Sequence, residues 1–377
     1  MSSIVDKQLL EFLRSALWGK PVVILDGFND WGALFAAANK QSVLSLVANV
    51  ALNDSYVANL IPSESKDKIK SFTMTNVATH KIVNNTLLKV ADVLDQAEIP
   101  FVLLKGQAMA RNYPIPELRA CGDIDVYVGQ DNYLKACELI SGVATWKEDR
   151  DPIADKEKHF DVKIDEVIVE IHRYSDMIFS RRYNKIYQAY SDVGTSVNLR
   201  EINIAGKNIK IPADDFNAFY VFNHMWRHFL ISGVGLRQLC DWMMFLHARK
   251  DDIDRDKLRK IIEDMNLMKP WQTFGCILVE ELGMPHEEFP FYDPTRKKHI
   301  STILKYILAE GNFGRDSEMA KNSYVEGYLE KKFKSMCIRT KREMPLVHIF
   351  PSHIIGPYFK FIFGGIGHIC KDLFRVK

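Results

Sequence analysis

The stretch FVLLKGQAMARNYPIPELRACGDIDVYV, Phe101 to Val128, decides how this chain folds. It opens with an apolar run, Phe101 to Leu104, short enough for a buried strand. Ala108, Met109 and Ala110 then begin a helix, which Pro114 and Pro116 end by forcing a loop. A second strand carries Asp123 to Val128, where alternation sets Asp123 and Asp125 on one face and Ile124 and Val126 on the other. Two carboxylates side by side repel each other and cost desolvation. A fold has no structural reason to place them there; a divalent cation supplies one.

Working outward, the alternation of Phe160–Ile164 and Val167–Ile171 around Asp165-Glu166 predicts a hairpin. Its second strand gives Glu170 the period needed to meet Asp123 and Asp125 across the sheet. Between the two blocks lie a helix over 131–141 ended by Gly142, a strand over 144–148 and a charged loop over 149–158. A second hairpin, 196–204 with 207–211, turns at Ala205-Gly206. Upstream, apolar residues at helical spacing predict a helix over 4–18, and Pro21–Leu25 reads as a strand or a buried linker. Asp30 caps a helical run to Ala51. A polar loop is expected around 62–70, then a long helix over 75–96 with a core-facing apolar stripe. After Pro212 the chain is helical: an aromatic-rich segment to about Leu230, another over 236–249, and others near 255–266, 269–282, 296–309 and 316–340. The expectation is an α+β fold with a small mixed β-sheet in a core over 99–211. An N-terminal helical region, 1–98, and a C-terminal helical region, 212–377, flank it.

Composition narrows the class. The 377 residues are 47% hydrophobic and 26% charged, as in an ordinary globular protein with two or three domains. Fifty basic against 48 acidic residues leave +2, so no global field selects for a nucleic-acid partner. The six cysteines form no CxxC pair; free thiols in a reducing cytoplasm suit them better than a disulfide framework or a zinc site. Residues 1–17 form an amphipathic pattern with charges inside it, unlike a signal peptide. No uncharged stretch reaches the length of a membrane span.

Gly106-Gln107, followed after a fifteen-residue gap by Asp123-x-Asp125, resembles the signature of the polymerase-beta-like nucleotidyltransferase superfamily. The fuller wording, LLKGQAMARNYPIPELRACGDIDVYV, is similar to a bacterial branch described only as uncharacterised nucleotidyltransferases. Val167 to His172 resembles that family's strand with the third acidic residue, and the likeness runs from about Asp30 to Arg249. Gly-Gln stands where Gly-Ser or Gly-Gly is usual. The resemblance implies an enzyme that moves an NMP from an NTP such as ATP to an acceptor, with Mg²⁺ (or Mn²⁺) as cofactor. Asp123 and Asp125 would be metal ligands, and Glu170 a third carboxylate that completes a second site and accepts the acceptor's proton. Gly106 would allow close backbone approach to phosphates, and the N–H groups of Gln107 and Ala108 would cradle them. Lys105 and Arg119 are candidate phosphate cations, or members of surface ion pairs.

Four histidines belong to the candidate pocket. His172 sits on the strand face of Glu170, and His159 approaches from the hairpin. His224 and His228, at i and i+4 of one helix, suit a packed helix or an acceptor pocket better than zinc, for which two ligands are too few. Arg237 and Asp241 read as a helix salt bridge or as cleft lining. The basic run from Lys331 to Arg342 precedes an aromatic, Gly- and Pro-broken segment. We expect 331–377 to pack as a helical layer with a solvated basic face, not to contact a membrane. The acceptor is expected to be a small molecule rather than nucleic acid. The rival readings are an idle nucleotide-binding or interaction module that retains the fold, and an enzyme that modifies tRNA or protein.

Overall fold

The computed structural model describes residues 3–149, 158–178, 180–312, 328–356 and 358–359. Helices open the chain: α1 (Ile4–Trp18), α2 (Trp31–Lys40), α3 (Leu44–Asn53), α4 (Ser55–Leu60) and α5 (Ser63–Gln96). Ser3 and Asp6 close a reciprocal capping box at the start of α1, and Asp30 accepts from Ala33 N at 2.8 Å to cap α2 as its sequence predicts. Pro21–Leu25 is neither strand nor helix. Gln8 holds it from α1, donating to Val23 O and accepting from Leu25 N, both at 2.8 Å.

The polar loop expected around 62–70 is instead the first part of α5, which begins directly after Pro62. Its polar residues are the solvent face of a helix. Ile69 provides the buried anchor, and Glu64 pairs with Lys68 one turn on at 2.6 Å.

The central sheet contains β1 (Val102–Leu103), β2 (Ile124–Tyr127), β3 (Trp146–Lys147), β4 (His159–Ile164) and β5 (Val167–His172) in the order β1-β2-β5-β4-β3. It is mixed, as expected: β2 runs parallel to β5, and every other pair is antiparallel. The short helix α6 (Gln107–Ala110) follows β1, and the crossover that a parallel neighbour needs is supplied by α7 (Gly129–Ser141), β3 and β4. The β4–β5 hairpin turns through Asp165 and Glu166, both at positive φ, the twist that suits tight hairpins.

On β2, β5 and β4 one face is apolar, with Ile124, Val126, Phe160, Val162, Val169 and Ile171 buried. That face pins the register, because a one-residue slip would turn all of it outward. The opposite face carries the polar residues of the same strands.

Between the sheet and the second hairpin lies α8 (Arg181–Gly194), which the sequence reading did not place. It delays the hairpin, β6 (Arg200–Ile204) with β7 (Lys207–Ile211), by four residues. Then come α9 (Asp214–Ile231), α10 (Leu236–Ala248), α11 (Arg255–Asp264), α12 (Met268–Glu280) and α13 (Ile300–Glu310), with α14 (Tyr328–Val347) following. Of the helix expected at 316–340, residues 316–327 lie outside the described ones. Aromatic rings hold these helices together. Trp242 meets Trp271 edge-on at 4.7 Å, and Phe222 packs on both at 4.8 and 5.1 Å.

The C-terminal layer is packed where it is described; of the expected layer over 331–377, residues 357 and 360–377 lie outside the described ones. Leu346, Ile349, Phe350 and Ile354 are buried, and the Phe350 ring meets Trp226 of α9 at 4.9 Å. Its basic face is not wholly solvated, contrary to the expectation. The Arg342 guanidinium donates to Ile231 O at 3.0 Å and to Phe229 O, capping the C-terminus of α9, and pairs with Glu310. Carbonyls left over at a helix end, and the negative pole there, account for a buried cation. No helix among the described residues is long and apolar enough to cross a membrane. Truncating Phe350 to Ala should cost about 3 kcal/mol or more in denaturant unfolding, the usual loss for a fully buried ring; a change within about 0.5 kcal/mol, typical of surface sites, would mean the layer does not carry the fold.

Candidate active site

The parallel register places Asp125 directly beside Glu170. Asp123, one residue before β2, lies on the same side of the chain as Asp125. Next to Glu170 along β5 comes His172, and across the antiparallel pair stand Asp161 and His159. Three adjacent strands thus present Asp123, Asp125, Glu170, His172, Asp161 and His159 on one face.

Lys105 enters from the other side. Leu104 N bonds Asp125 O at 3.1 Å, extending the β1–β2 ladder, and the chain then turns sharply at Gly106, where φ is +53°. A Cβ there would stand 3.2 Å from Asp123 O, so the loop and the acidic strand are in close contact. That contact holds the Lys105 ammonium 2.8 Å from Asp125 Oδ1. His172 Nε2 lies 3.0 Å from the same oxygen and 3.0 Å from Glu170 Oε2.

The two aspartates differ electrostatically. Burial would raise both. At Asp125 the Lys105 charge and His172 overcome it and hold the carboxyl well below the usual range. At Asp123 burial prevails, reinforced by Asp125, and the carboxyl is pushed up. Glu170 is lowered, because His172 and Lys105 outweigh its burial and the repulsion of Asp125.

Helix α9 covers this face with Tyr220, His224 and His228, at i, i+4 and i+8. The Tyr220 hydroxyl is buried without a hydrogen-bond partner among the described residues; burial and the three carboxylates raise its pKa well above 10. Burial, with Lys105 nearby, lowers His224 well below the usual range and His228 to about 3. Burial likewise lowers His159 to about 4, and Lys158 to about 8. Those three imidazoles are therefore neutral near pH 7, so the acidic cluster is offset by Lys105, His172 and Lys158.

That imbalance is how the residues present fit a divalent cation. Asp123 has no hydrogen-bond or ion-pair partner among the described residues, although it is partly buried beside a second carboxylate. An all-oxygen set from Asp123, Asp125 and Glu170 suits Mg²⁺ or Mn²⁺.

Not every sequence-predicted residue faces the cleft with its side chain. Gln107 turns back to α5, donating to Asn84 Oδ1 and lying 3.3 Å from His80 Nδ1. The Ala108 N–H, expected in a phosphate cradle, is taken by Lys105 O at 3.0 Å. Arg119 lines the cleft, but Asp241 of α10 takes its fork at 2.9 and 2.7 Å, and Tyr113 also donates to Asp241. It belongs to a buried ion pair, not the surface pair that was the alternative. Arg237, also lining the cleft, donates to Ala120 O at 3.1 Å.

Sequence reasoning missed Tyr220, Lys158, Asp176 and Arg227; the last three meet beside the cluster, with Lys158 Nζ 3.8 Å from Asp176 and Arg227 bonded to the same carboxylate. The spacing of Tyr220 with His224 and His228 was the one available signal.

A family model described as uncharacterised nucleotidyltransferase matches residues 28–282, a span that holds every residue of this cleft. No curated protein and no solved structure matches the chain.

The two aspartates should respond oppositely to amidation. Asp123 has a raised pKa in the folded chain, so its charged form opposes folding above that value, and Asp123→Asn should raise the melting temperature at pH 7 in metal-free buffer. The gain should fade as the pH falls through the raised value towards the ordinary 3.8, below which both states are protonated. Asp125→Asn instead leaves Lys105 buried and unpaired, and should cost about 3–5 kcal/mol. Equal effects of the two changes would contradict the distinction.

Proposed function

Because the chain belongs to the uncharacterised nucleotidyltransferase family, we propose that it transfers an NMP from an NTP, ATP among them, to an acceptor through a polymerase-beta-like centre. Asp123, Asp125 and Glu170 would hold Mg²⁺ or Mn²⁺ there. The observation that carries this reading is the placement of Asp125 opposite Glu170 in parallel register, with Asp123 unpartnered beside them.

In the reaction an acceptor oxygen attacks the α-phosphorus in line, the bond to the bridging oxygen breaks, and pyrophosphate leaves. The bound cation would supply charge neutralisation on the triphosphate and lower the pKa of the acceptor hydroxyl. Asp123 and Asp125 would orient the triphosphate, and Glu170 would take the acceptor's proton at Oε1 or Oε2.

Lys105 would pass from Asp125 to the phosphates when the triphosphate arrives, since its ammonium already stands in the cleft. Gly106 leaves room for a phosphate against the backbone. Arg119 is braced by Asp241 and would contribute position more than free charge. Tyr220, His224 and His228 line the side where an acceptor would enter, and neutral imidazoles between aromatic rings suit a small molecule. The five described cysteines are free thiols, which supports a cytoplasmic setting.

Glu170→Gln should lower turnover about 10²-fold or more, the usual share of a positioned general base, and leave the NTP dissociation constant within a few-fold. Nucleotide binding by calorimetry beside pyrophosphate release against a metabolite pool reads both. Equal losses in binding and rate would place Glu170 among the triphosphate ligands instead.

A further inference from the structure

His159, Glu170 and His172 offer donor atoms that all lie within 4.8 Å of one another, on one face of the β4–β5 hairpin where His159 stands opposite His172. We propose that these three residues form a second cation site of different chemistry, taking a first-row transition ion such as Zn²⁺ or Mn²⁺ in preference to Mg²⁺.

The groups that surround the two rings carry the argument. His172 Nδ1 lies 3.3 Å from Tyr174 O. A carbonyl only accepts, so Nδ1 bears a hydrogen, and in the neutral form of the ring the lone pair then falls on Nε2. That nitrogen is 3.0 Å from carboxylate oxygens of both Asp125 and Glu170. A lone pair aimed at two anionic oxygens is repulsive; a cation between them turns the contact into coordination.

His159 shows the same pattern reversed. Its Nε2 is 3.4 Å from Asp161 Oδ1, and its Nδ1, buried and making no hydrogen bond, is 3.5 Å from Glu170 Oε2. Metal-bound histidines hold their other N–H on a carboxylate or a backbone carbonyl; the His172 ring has a carbonyl, and the Asp161 carboxylate stands near the outer nitrogen of His159. Ligands about 2.0–2.2 Å from a tetrahedral ion lie about 3.3–3.6 Å apart; the 3.5 Å from His159 to Glu170 falls in that range and the 3.0 Å from His172 just below it. Two imidazoles and a carboxylate favour Zn²⁺ and its neighbours, whereas Mg²⁺ prefers oxygen alone. The cation's place in the chemistry rests on the proposed nucleotidyl transfer, but its binding does not.

The competing account makes His172 an imidazolium that bridges two carboxylates without metal. Co²⁺ titration of the metal-stripped full-length chain, followed by its visible absorption, separates the two. The proposal expects one equivalent of Co²⁺ with the bands of a mixed nitrogen and oxygen site, retained in Asp123→Asn. Zn²⁺ or Mn²⁺ should displace it, and the order of potency identifies the preferred ion. His159→Gln should abolish the bands while Mg·NTP binding persists. Asp161→Asn, which leaves both imidazoles in place, should weaken Co²⁺ about tenfold or more.

Several outcomes would overturn the site: no Co²⁺ bands in the wild type, bands undiminished in both His159→Gln and Asp161→Asn, or bands lost equally in Asp123→Asn. In each of these Mg·NTP binding that depends on Asp123 would leave the proposed function standing. Loss of Co²⁺ and Mg·NTP together in His159→Gln would also count against it, as the mark of a structural histidine.

Discussion

The parallel pairing of β2 with β5 is the constraint on which the cleft depends. It sets Asp125 against Glu170, two anions that would not choose to be neighbours, and it is held from behind. The apolar face of the same strands is fully packed, and sliding either strand by one residue would exchange that face for the polar one. Burial of Val126, Val169 and Ile171 therefore fixes the carboxylates from the far side of the sheet. Apolar burial stabilises at about 25 cal/mol per Å², and that is the free energy against which crowding of the acids is offset.

Charge is then distributed unevenly around the cleft. Lys105 satisfies Asp125, Arg119 and Asp241 satisfy each other, and Arg227 and Lys158 attend Asp176. Asp123 is left over. Burial keeps the histidines of α9 neutral, so they shape the cleft without filling its charge deficit. Such an unbalanced site destabilises the chain alone and is relieved by a ligand of positive charge. Residues that violate the rules of a quiet interior are where function concentrates.

Much of this was legible in the sequence, for reasons that can be named. Alternation in Asp123–Val128 and Val167–Ile171 gives the two strands and the shared face of the acids, because a strand's period of two is geometric. Asp30 and the stripe of α5 are equally local signals. The start of α5 was misread because Ser, Lys and Asp there look like loop composition, and only the burial of Ile69 shows which face is solvent. Long-range partners were out of reach. Nothing local says that Gln107 would turn to Asn84, that Asp241 would take Arg119 rather than Arg237 four residues before it, or that Arg342 would cap α9 from more than a hundred residues away. The approach of His172 to Asp125 and of His159 to Glu170 joins neighbouring strands, and so required the fold.

Crystals of the protein grown with Mn²⁺ and an NTP analogue whose α,β-bridge resists cleavage would test the central claim most directly, through the anomalous scattering of the ion. The account predicts an anomalous peak within coordinating distance of carboxylate oxygens from both Asp123 and Asp125, with triphosphate oxygens completing its shell. An ordered nucleotide elsewhere on the chain, or one in this cleft with no ion between it and the two aspartates, would contradict it.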